Sequence, residues 1–213
     1  MNLLKPDTKD WGSSIKQQTR KMLTVDLWNE LMGEDKLASC EQYWTLGGDC
    51  YLRGKLRPGC ELDFILKAGF CQPQQFNSIE GQTAIHARNQ RLKQGNWHFG
   101  EFTDVFKQNS GRDDFKPAFV NYDTCQTVAG AGERFIETIG IARKASRRGI
   151  VIGNFVRKSR FVPEYNIVEA ITPFLNSAGW QWAASQGVRL LPRALTYQNQ
   201  RSRMSTLAAW WIT

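Results

Sequence analysis

The sequence predicts an α/β protein with a doubly wound, mostly parallel sheet and a C-terminal antiparallel β-hairpin. From about residue 41 onward, short strand-like runs alternate with helical patterns, which is the order of a parallel sheet whose strands are connected by helices. The final segment, RALTYQNQRSRMSTLAAWWI, instead contains two strand-like runs joined by a polar turn. A terminal hairpin of this kind adds one antiparallel strand to such a sheet.

The chain is predicted to start with a helical extension over residues 1–40, followed by one domain over residues 41–213. Within the extension, SIKQQTRKMLTVDLWNELMG carries apolar residues at helical spacing, and Gly33 is placed to end the helix. The domain should then begin with a strand, a polar loop, a helix and a second strand, in EQYWTLGGDC, YLRGKLR, CELDFILKAGF and QFNSIEG.

The alternation continues through the second half of the chain. A helix over residues 82–94 leads to a strand in NWHFGEF, and a connector then leads to AFVNY, which is apolar enough for a buried strand. The remaining predicted elements before the hairpin are a helix, a strand and a helix interrupted by Pro173, in ERFIETIGIARKA, GIVIGNFV and NIVEAITPFLNSAG.

Composition favours a well-packed cytoplasmic protein. A chain of 213 residues with 41% hydrophobic residues and 8 Trp has enough apolar surface for a sizeable core. No run approaches the roughly 18–20 apolar residues that span a bilayer, and the N-terminus lacks the apolar stretch of a secretory signal. The 5 cysteines are odd in number and include no CxxC pair, so we expect reduced thiols and no metal site.

The balance of charge favours an anionic partner. Lys and Arg outnumber Asp and Glu by 28 to 20, which suits nucleic acid, either RNA or DNA, and also a small anionic substrate. Topology places one basic group, before GIVIGNFV, at the far edge of the sheet: Arg143, Lys144, Arg147 and Arg148. A second group should lie on the ligand side and either bind the substrate or form a solvated surface: Arg157, Lys158, Arg160, Arg201 and Arg203.

Glycines and polar side chains follow the predicted strands in order. In sheets of this class, ligands bind beyond the carboxyl ends of the strands, so residues at those ends should share one site. Glycines there let a ligand approach the backbone closely. The residues at these ends are Gly47 and Gly48, Glu80, Gly100 and Glu101, Asn121, Tyr122 and Asp123, and Asn154.

With these strand ends, the chain resembles the Rossmann-like class I S-adenosylmethionine-dependent methyltransferases. YWTLGG stands where the glycine-rich first motif lies, HFGEF where the adenine-contacting loop lies, and FVNYDT where the catalytic motif lies. The resemblance implies that Glu80 accepts hydrogen bonds from the two ribose hydroxyls of S-adenosyl-L-methionine. It also implies that the cofactor contacts Gly47, Gly48, Gly100 and Glu101.

The same resemblance implies a catalytic role for Asn121, Tyr122 and Asp123. Asp123 would accept a proton or hold the substrate, and Tyr122 would stack on it; the alternative for Asp123 is a cap on the following helix. The chain departs from the family because no GxGxG follows the first strand and NYDT lacks the two prolines of the amino-methylating enzymes. Methylation of a base exocyclic amine is therefore not favoured.

Two classes of function follow from these observations. One is a methyltransferase acting on an anionic substrate, with nucleic acid as the favoured class. The other is a catalytically silent Rossmann-like protein that binds nucleotides or nucleic acid, which the altered first motif and NYDT keep open. A nicotinamide-dependent oxidoreductase is less favoured because GxGxxG is absent.

Overall fold

The computed structural model describes residues 14–46, 48–124, 126–156, 167–198 and 203–213. Its strands are β1 (Gln42–Leu46), β2 (Tyr51–Leu52), β3 (Lys55–Leu56), β4 (Phe76–Glu80), β5 (Asn96–Phe99), β6 (Pro117–Asp123), β7 (Arg148–Val156), β8 (Arg189–Gln198) and β9 (Arg203–Ile212). Its α-helices are α1 (Ser14–Lys21), α2 (Leu27–Met32), α3 (Glu61–Lys67), α4 (Thr83–Asn89), α5 (Phe102–Asn109), α6 (Val128–Ala145), α7 (Ile167–Leu175) and α8 (Ala178–Ser185). A π-helical turn, Met22–Asp26, connects α1 to α2. None of the described helices is long and apolar enough to cross a membrane.

Seven of the strands form one sheet in the order β5-β4-β1-β6-β7-β9-β8. The pairs β4–β5, β1–β4, β1–β6 and β6–β7 are parallel, whereas β9 is antiparallel to both of its neighbours. This arrangement confirms the predicted doubly wound, mostly parallel sheet with a C-terminal antiparallel hairpin. It also places the carboxyl ends of the five parallel strands at one edge.

Helices cover both faces of the sheet, and β1 shows how the two faces are filled. Tyr43 points to the face covered by α2 and α3, where its ring stacks on Phe76 at 5.5 Å and on Phe119 at 5.2 Å. Trp44 points to the opposite face, which α5, α6, α7 and α8 cover. Because both side chains are buried, β1 lies at the centre of the core, as the side-chain alternation of a strand requires.

Part of the predicted N-terminal extension packs into this core. Gly33, with a φ of 72°, ends α2 as predicted, because a glycine tolerates the left-handed conformation. Leu27 and Trp28 of α2 are buried in the same cluster as Tyr43. The boundary at residue 40 stays a prediction, although these contacts already join the two sides of it.

Arg148, at the far edge of the sheet, forms salt bridges with Glu34 of the extension and with Glu41. Its guanidinium, at the start of β7, bonds both carboxylate oxygens of Glu34 at 2.6 and 2.9 Å and those of Glu41 at 2.6 and 3.1 Å. These contacts hold the pKa of Glu34 below its usual value, chiefly through the hydrogen bonds from Arg148. The arrangement agrees with the prediction that Arg148 lies opposite the ligand edge.

Four local predictions were wrong in detail. The polar loop YLRGKLR contains a small β2–β3 hairpin, whose turn residues Arg53 and Gly54 have φ angles of 49° and 84°. The helix predicted over residues 82–94 is shorter, Thr83–Asn89. Two helices of 8 residues each, α5 and α8, were not predicted. α5 lies in the segment that was predicted to be a connector, and α8 begins where the Ser177 side chain accepts from the backbone N–H of Trp180.

Candidate functional site

The carboxyl edge of the sheet brings the predicted strand-end residues together. Glu80 of β4 lies beside Phe99 of β5, and Asp123 of β6 lies beside Asn154 of β7. The chain crosses to the opposite face of the sheet after β5, so β1 and β6 are adjacent strands whose connections diverge. Such a point, where the strand order reverses, is where open α/β sheets bind their ligands.

Glu80 is a nearly buried carboxylate at this edge. Its side chain is only 7% exposed, and Oε1 accepts a hydrogen bond from the backbone N–H of Gln82 at 2.8 Å. Within the described part of the chain, the other oxygen, Oε2, has no hydrogen-bond partner. Burying a charge with a single partner is costly, so this carboxylate is well suited to accept from a ligand.

Gly100 lies next to Glu80, and its neighbour Glu101 lies further out. The N–H of Gly100 donates to the backbone oxygen of Glu80 at 3.3 Å, which joins the ends of β4 and β5. Gly100 has a φ of 139°, and an added Cβ would lie 3.0 Å from Val105, so a glycine is required. The Glu101 side chain is exposed and pairs with Arg134 of α6 at 3.7 Å.

The three residues at the end of β6 point to opposite faces of the sheet. Asn121 and Asp123 are half-buried on the α3 side, whereas Tyr122 is 3% exposed on the other side. The Tyr122 ring packs against Phe102 at 5.2 Å and Phe135 at 6.3 Å, and burial raises the pKa of its hydroxyl. Tyr122 is therefore a core residue, because adjacent strand positions alternate between faces. Its burial does not support the predicted stacking on a substrate.

A polar network that the sequence analysis did not predict meets at Asn121. Asn121 donates through Nδ2 to Oε1 of Glu61 at 2.8 Å, and its Oδ1 accepts from Nδ2 of Asn154 at 3.1 Å. Thr206 donates to Oδ1 of Asn154 at 2.7 Å, and the Tyr43 hydroxyl also donates to Oε1 of Glu61. Asn121 thus has both ends of its amide engaged within the protein, which suits positioning better than contact with the substrate.

A buried side chain of α4, that of Asn89, holds the loop after β1. Asn89 is fully buried; it donates through Nδ2 to the Gly48 carbonyl at 2.8 Å and accepts at Oδ1 from the Cys50 N–H at 3.0 Å. The helix that follows Glu80 therefore orients the segment that stands in place of the glycine-rich motif. Gly47 lies outside the described residues.

The basic residues predicted to meet the substrate are mostly beyond what the structure describes. Arg157, Lys158, Arg160 and Arg201 lie outside the described residues. Arg203 begins β9, whose first residues pair with the end of β7 at the carboxyl edge.

A different basic surface is present on described residues beside the loop after β1. We call it the hairpin–α4 patch: Arg53, Lys55, Arg57, Arg88, Arg91 and Lys93. Its two halves are joined by Asp49, which pairs with Arg57 at 2.8 Å and Arg88 at 3.0 Å. The guanidinium of Arg91 lies over the Tyr51 ring at 6.0 Å.

Metal ligands are not grouped in the described residues. No set of three or more His, Cys, Asp or Glu side chains there could hold a metal ion. His98, near the carboxyl edge, stacks on Trp44 at 5.0 Å, and burial lowers the pKa of its imidazole.

Solved structures that are similar to this chain include methyltransferases. The chain is similar to an O-methyltransferase from Bacillus cereus in complex with SAH, with 13% identity and a TM-score of 0.51, over 98% of this chain and 84% of that one. It is also similar to the plantazolicin methyltransferase BamL in complex with a triazolic desmethylPZN analog and SAH, with 8% identity and a TM-score of 0.55, over 94% of this chain and 86% of that one.

Sequence comparison adds no closer relative, since no protein-family model and no curated protein sequence matches the chain. Identities this low establish a common architecture and not a common substrate. The strand order, the terminal hairpin and these neighbours agree, and they confirm the fold that the resemblance implied. The chain has the Rossmann-like fold of the class I S-adenosylmethionine-dependent methyltransferases.

Proposed function

We propose that the protein is an S-adenosylmethionine-dependent methyltransferase that acts on an anionic substrate, with nucleic acid as the substrate class. The observation that carries the proposal is Glu80, a nearly buried carboxylate at the end of β4 with one oxygen unpaired in the described residues. A ribose offers two neighbouring hydroxyl donors to such a group. The amide of Gly100, bonded to the Glu80 backbone, keeps the ends of β4 and β5 in register around it.

The chain's own residues would bind and orient the reactants. S-adenosylmethionine, when bound, supplies an already activated methyl group, so alignment of the substrate accounts for most of the rate effect. Gly48 and Gly100 would let the cofactor approach the backbone, with Glu101 at the outer rim of the site. Asp123, half-buried at the end of β6, would hold the substrate or accept its proton.

The hairpin–α4 patch, which lies within the described residues, supports the proposal of an anionic substrate. It combines six cations with one acid, Asp49, and it adjoins the loop that Asn89 holds at the end of β1. An exposed apolar side chain, Leu52, and the ring of Tyr51 lie within the same hairpin. Cations interleaved with an aromatic ring suit a phosphate backbone and its bases.

Removing charge from this patch should flatten the salt dependence of nucleic-acid binding. The double variant Arg91→Gln/Lys93→Gln should lower the slope of log affinity against log salt by about 1.4–1.8, because each neutralised phosphate contributes about 0.7–0.9. The measurement is fluorescence anisotropy with labelled single-stranded RNA and double-stranded DNA over a range of KCl concentrations.

The matched control removes two charges at the opposite edge of the sheet. Lys116 and Arg147 are exposed and precede β6 and β7, so Lys116→Gln/Arg147→Gln should leave the slope unchanged. Equal effects of both variants would contradict a specific role of the patch. If neither RNA nor DNA binds at low salt, the proposed nucleic-acid substrate is wrong, and a small anionic metabolite or a protein takes its place.

Calorimetry with three nucleotides tests the proposed function directly. S-adenosylmethionine and S-adenosylhomocysteine should both bind, and NAD should not. Binding of NAD alone would favour an oxidoreductase, and binding of none would remove the cofactor proposal.

The second candidate is a catalytically silent binding protein. It is favoured because both the nitrogen and the oxygen of the Asn121 side-chain amide form hydrogen bonds within the protein. It predicts cofactor binding without methyl transfer to the bound nucleic acid.

A further inference from the structure

The network around Asn121 runs in one direction and ends at Glu61. Thr206 donates to Asn154, Asn154 donates to Asn121, and Asn121 donates to Glu61. Each of the two amides accepts a hydrogen bond at its oxygen and donates one from its nitrogen to the next residue. The last residue of the network must therefore be an acceptor that has no hydrogen to donate. An ionised carboxylate meets this requirement, and charge-assisted bonds to it are the strongest in the network.

Tyr43 donates a second hydrogen bond to this carboxylate. Its ring is fully buried, and its hydroxyl donates to the same Oε1 that accepts from Asn121. Burial first, and then the Glu61 charge, raise the pKa of Tyr43 well above its usual value. The hydroxyl therefore stays protonated at every physiological pH and continues to donate.

One carboxylate oxygen of Glu61 remains available. Both hydrogen bonds go to Oε1, and within the described residues Oε2 has no partner and Glu61 has no salt bridge. The Glu61 side chain is only partly buried, so a small ligand can approach it. A fixed anion without a cation is a site for a positively charged group.

Glu61 lies at the point where the strand order reverses. It is the first residue of α3, the helix that follows β1, and its partner Asn121 lies two residues before the end of β6. Glu80 ends β4, on the other side of β1. Strands in a sheet lie about 4.8 Å apart, so β4 and β6 are about 10 Å apart, and one extended ligand at this edge can reach residues at the ends of both strands.

We propose that Oε2 of Glu61 binds the α-ammonium group of S-adenosylmethionine, while Glu80 binds its ribose. The proposal rests on the proposed cofactor and adds the residue that holds its amino-acid end. Tyr43, Asn121, Asn154 and Thr206 are positioning residues, because they fix the carboxylate without contacting the ligand. The ammonium is the better match than the sulfonium because it can donate a hydrogen bond to Oε2.

Three ligands distinguish these contacts in calorimetric titrations of Glu61→Gln. S-adenosylmethionine and S-adenosylhomocysteine both carry the ammonium, and each should bind about 10- to 100-fold more weakly than to the parent protein. 5′-Methylthioadenosine lacks the amino-acid arm, so its affinity should not change. Glu133→Gln, an exposed acid on α6, is the matched control and should behave as the parent for all three ligands.

Each other outcome overturns a different statement. A loss confined to S-adenosylmethionine would mean that Glu61 faces the sulfonium, and an equal loss for all three ligands would mean a general disturbance of the site. Unchanged affinities would remove Glu61 from the ligand. If the parent protein binds none of the three, the proposed function itself fails.

A second variant keeps the test valid if Glu61→Gln does not fold. Tyr43→Phe removes one donor to Oε1 and leaves the charge of Glu61 in place. It should produce a smaller loss with the same pattern, affecting the two ligands that carry an ammonium and sparing 5′-methylthioadenosine. Any loss that includes 5′-methylthioadenosine would contradict the proposal.

Discussion

Replacing Glu80 with alanine should weaken the binding of S-adenosylmethionine by about 3–6 kcal/mol. Two hydrogen bonds from ribose hydroxyls to one carboxylate are lost, and each bond to a charged group contributes about 1.5–3 kcal/mol. This corresponds to roughly a 10²- to 10⁴-fold higher Kd in calorimetry. The position of Glu80, 7% exposed at the end of β4, leaves few other partners for its charge.

Two further variants separate the ribose contact from the folding of the edge. Glu80→Gln keeps an acceptor for the Gln82 N–H and should lose less affinity than Glu80→Ala. Glu101→Gln removes an exposed acid of the same neighbourhood and should have a much smaller effect. An unchanged Kd in Glu80→Ala would show that the ribose, if it binds, lies elsewhere.

Replacing Trp28 with alanine should lower the free energy of unfolding by about 3–5 kcal/mol, the usual loss for a large aromatic residue in a core. Trp28 has no exposed surface; its ring packs against Phe70 at 5.9 Å and Phe119 at 6.3 Å, and the Arg148 guanidinium lies over it at 5.4 Å. Urea titration monitored by circular dichroism measures the change.

The same titration tests the predicted boundary at residue 40. Because Trp28 touches β6 through Phe119, unfolding should occur in one transition that includes the extension. Trp182→Ala, a half-buried tryptophan on α8 with Lys144 over its ring at 5.0 Å, is the control and should be less destabilising. A separate early transition in the Trp28 variant would support an extension that unfolds independently.

The fold was largely predictable because its signals are local. Strand runs such as GIVIGNFV and the caps and glycines between them depend on residues close in sequence, and the ends of β1, β4, β5, β6 and β7 fall where these patterns placed them. Elements with weak local signals were missed. The two-residue strands β2 and β3 and the 8-residue helices α5 and α8 are too short to show a clear hydrophobic period.

The sequence predicted which edge of the sheet carries the candidate site, but not how the side chains there are arranged. Glu80 and Gly100 were placed together correctly, since parallel strands end side by side. The predicted environment of Tyr122 was wrong, because its side chain is buried in the core. The two-residue period of a strand already separates its face from that of Asn121. Glu61 was missed because it meets Asn121 across 60 positions of sequence, a distance that no local pattern covers.

The position of β9 affects how the sheet can be assembled during synthesis. β9 follows β8 in the sequence but lies between β7 and β8 in the sheet. When β8 leaves the ribosome it has no neighbour to pair with, and β7 still presents an open edge of backbone donors and acceptors along Arg148–Val156. A chain interrupted before residue 203 would keep that edge open, which makes it a target for intermolecular strand pairing and for quality-control proteases.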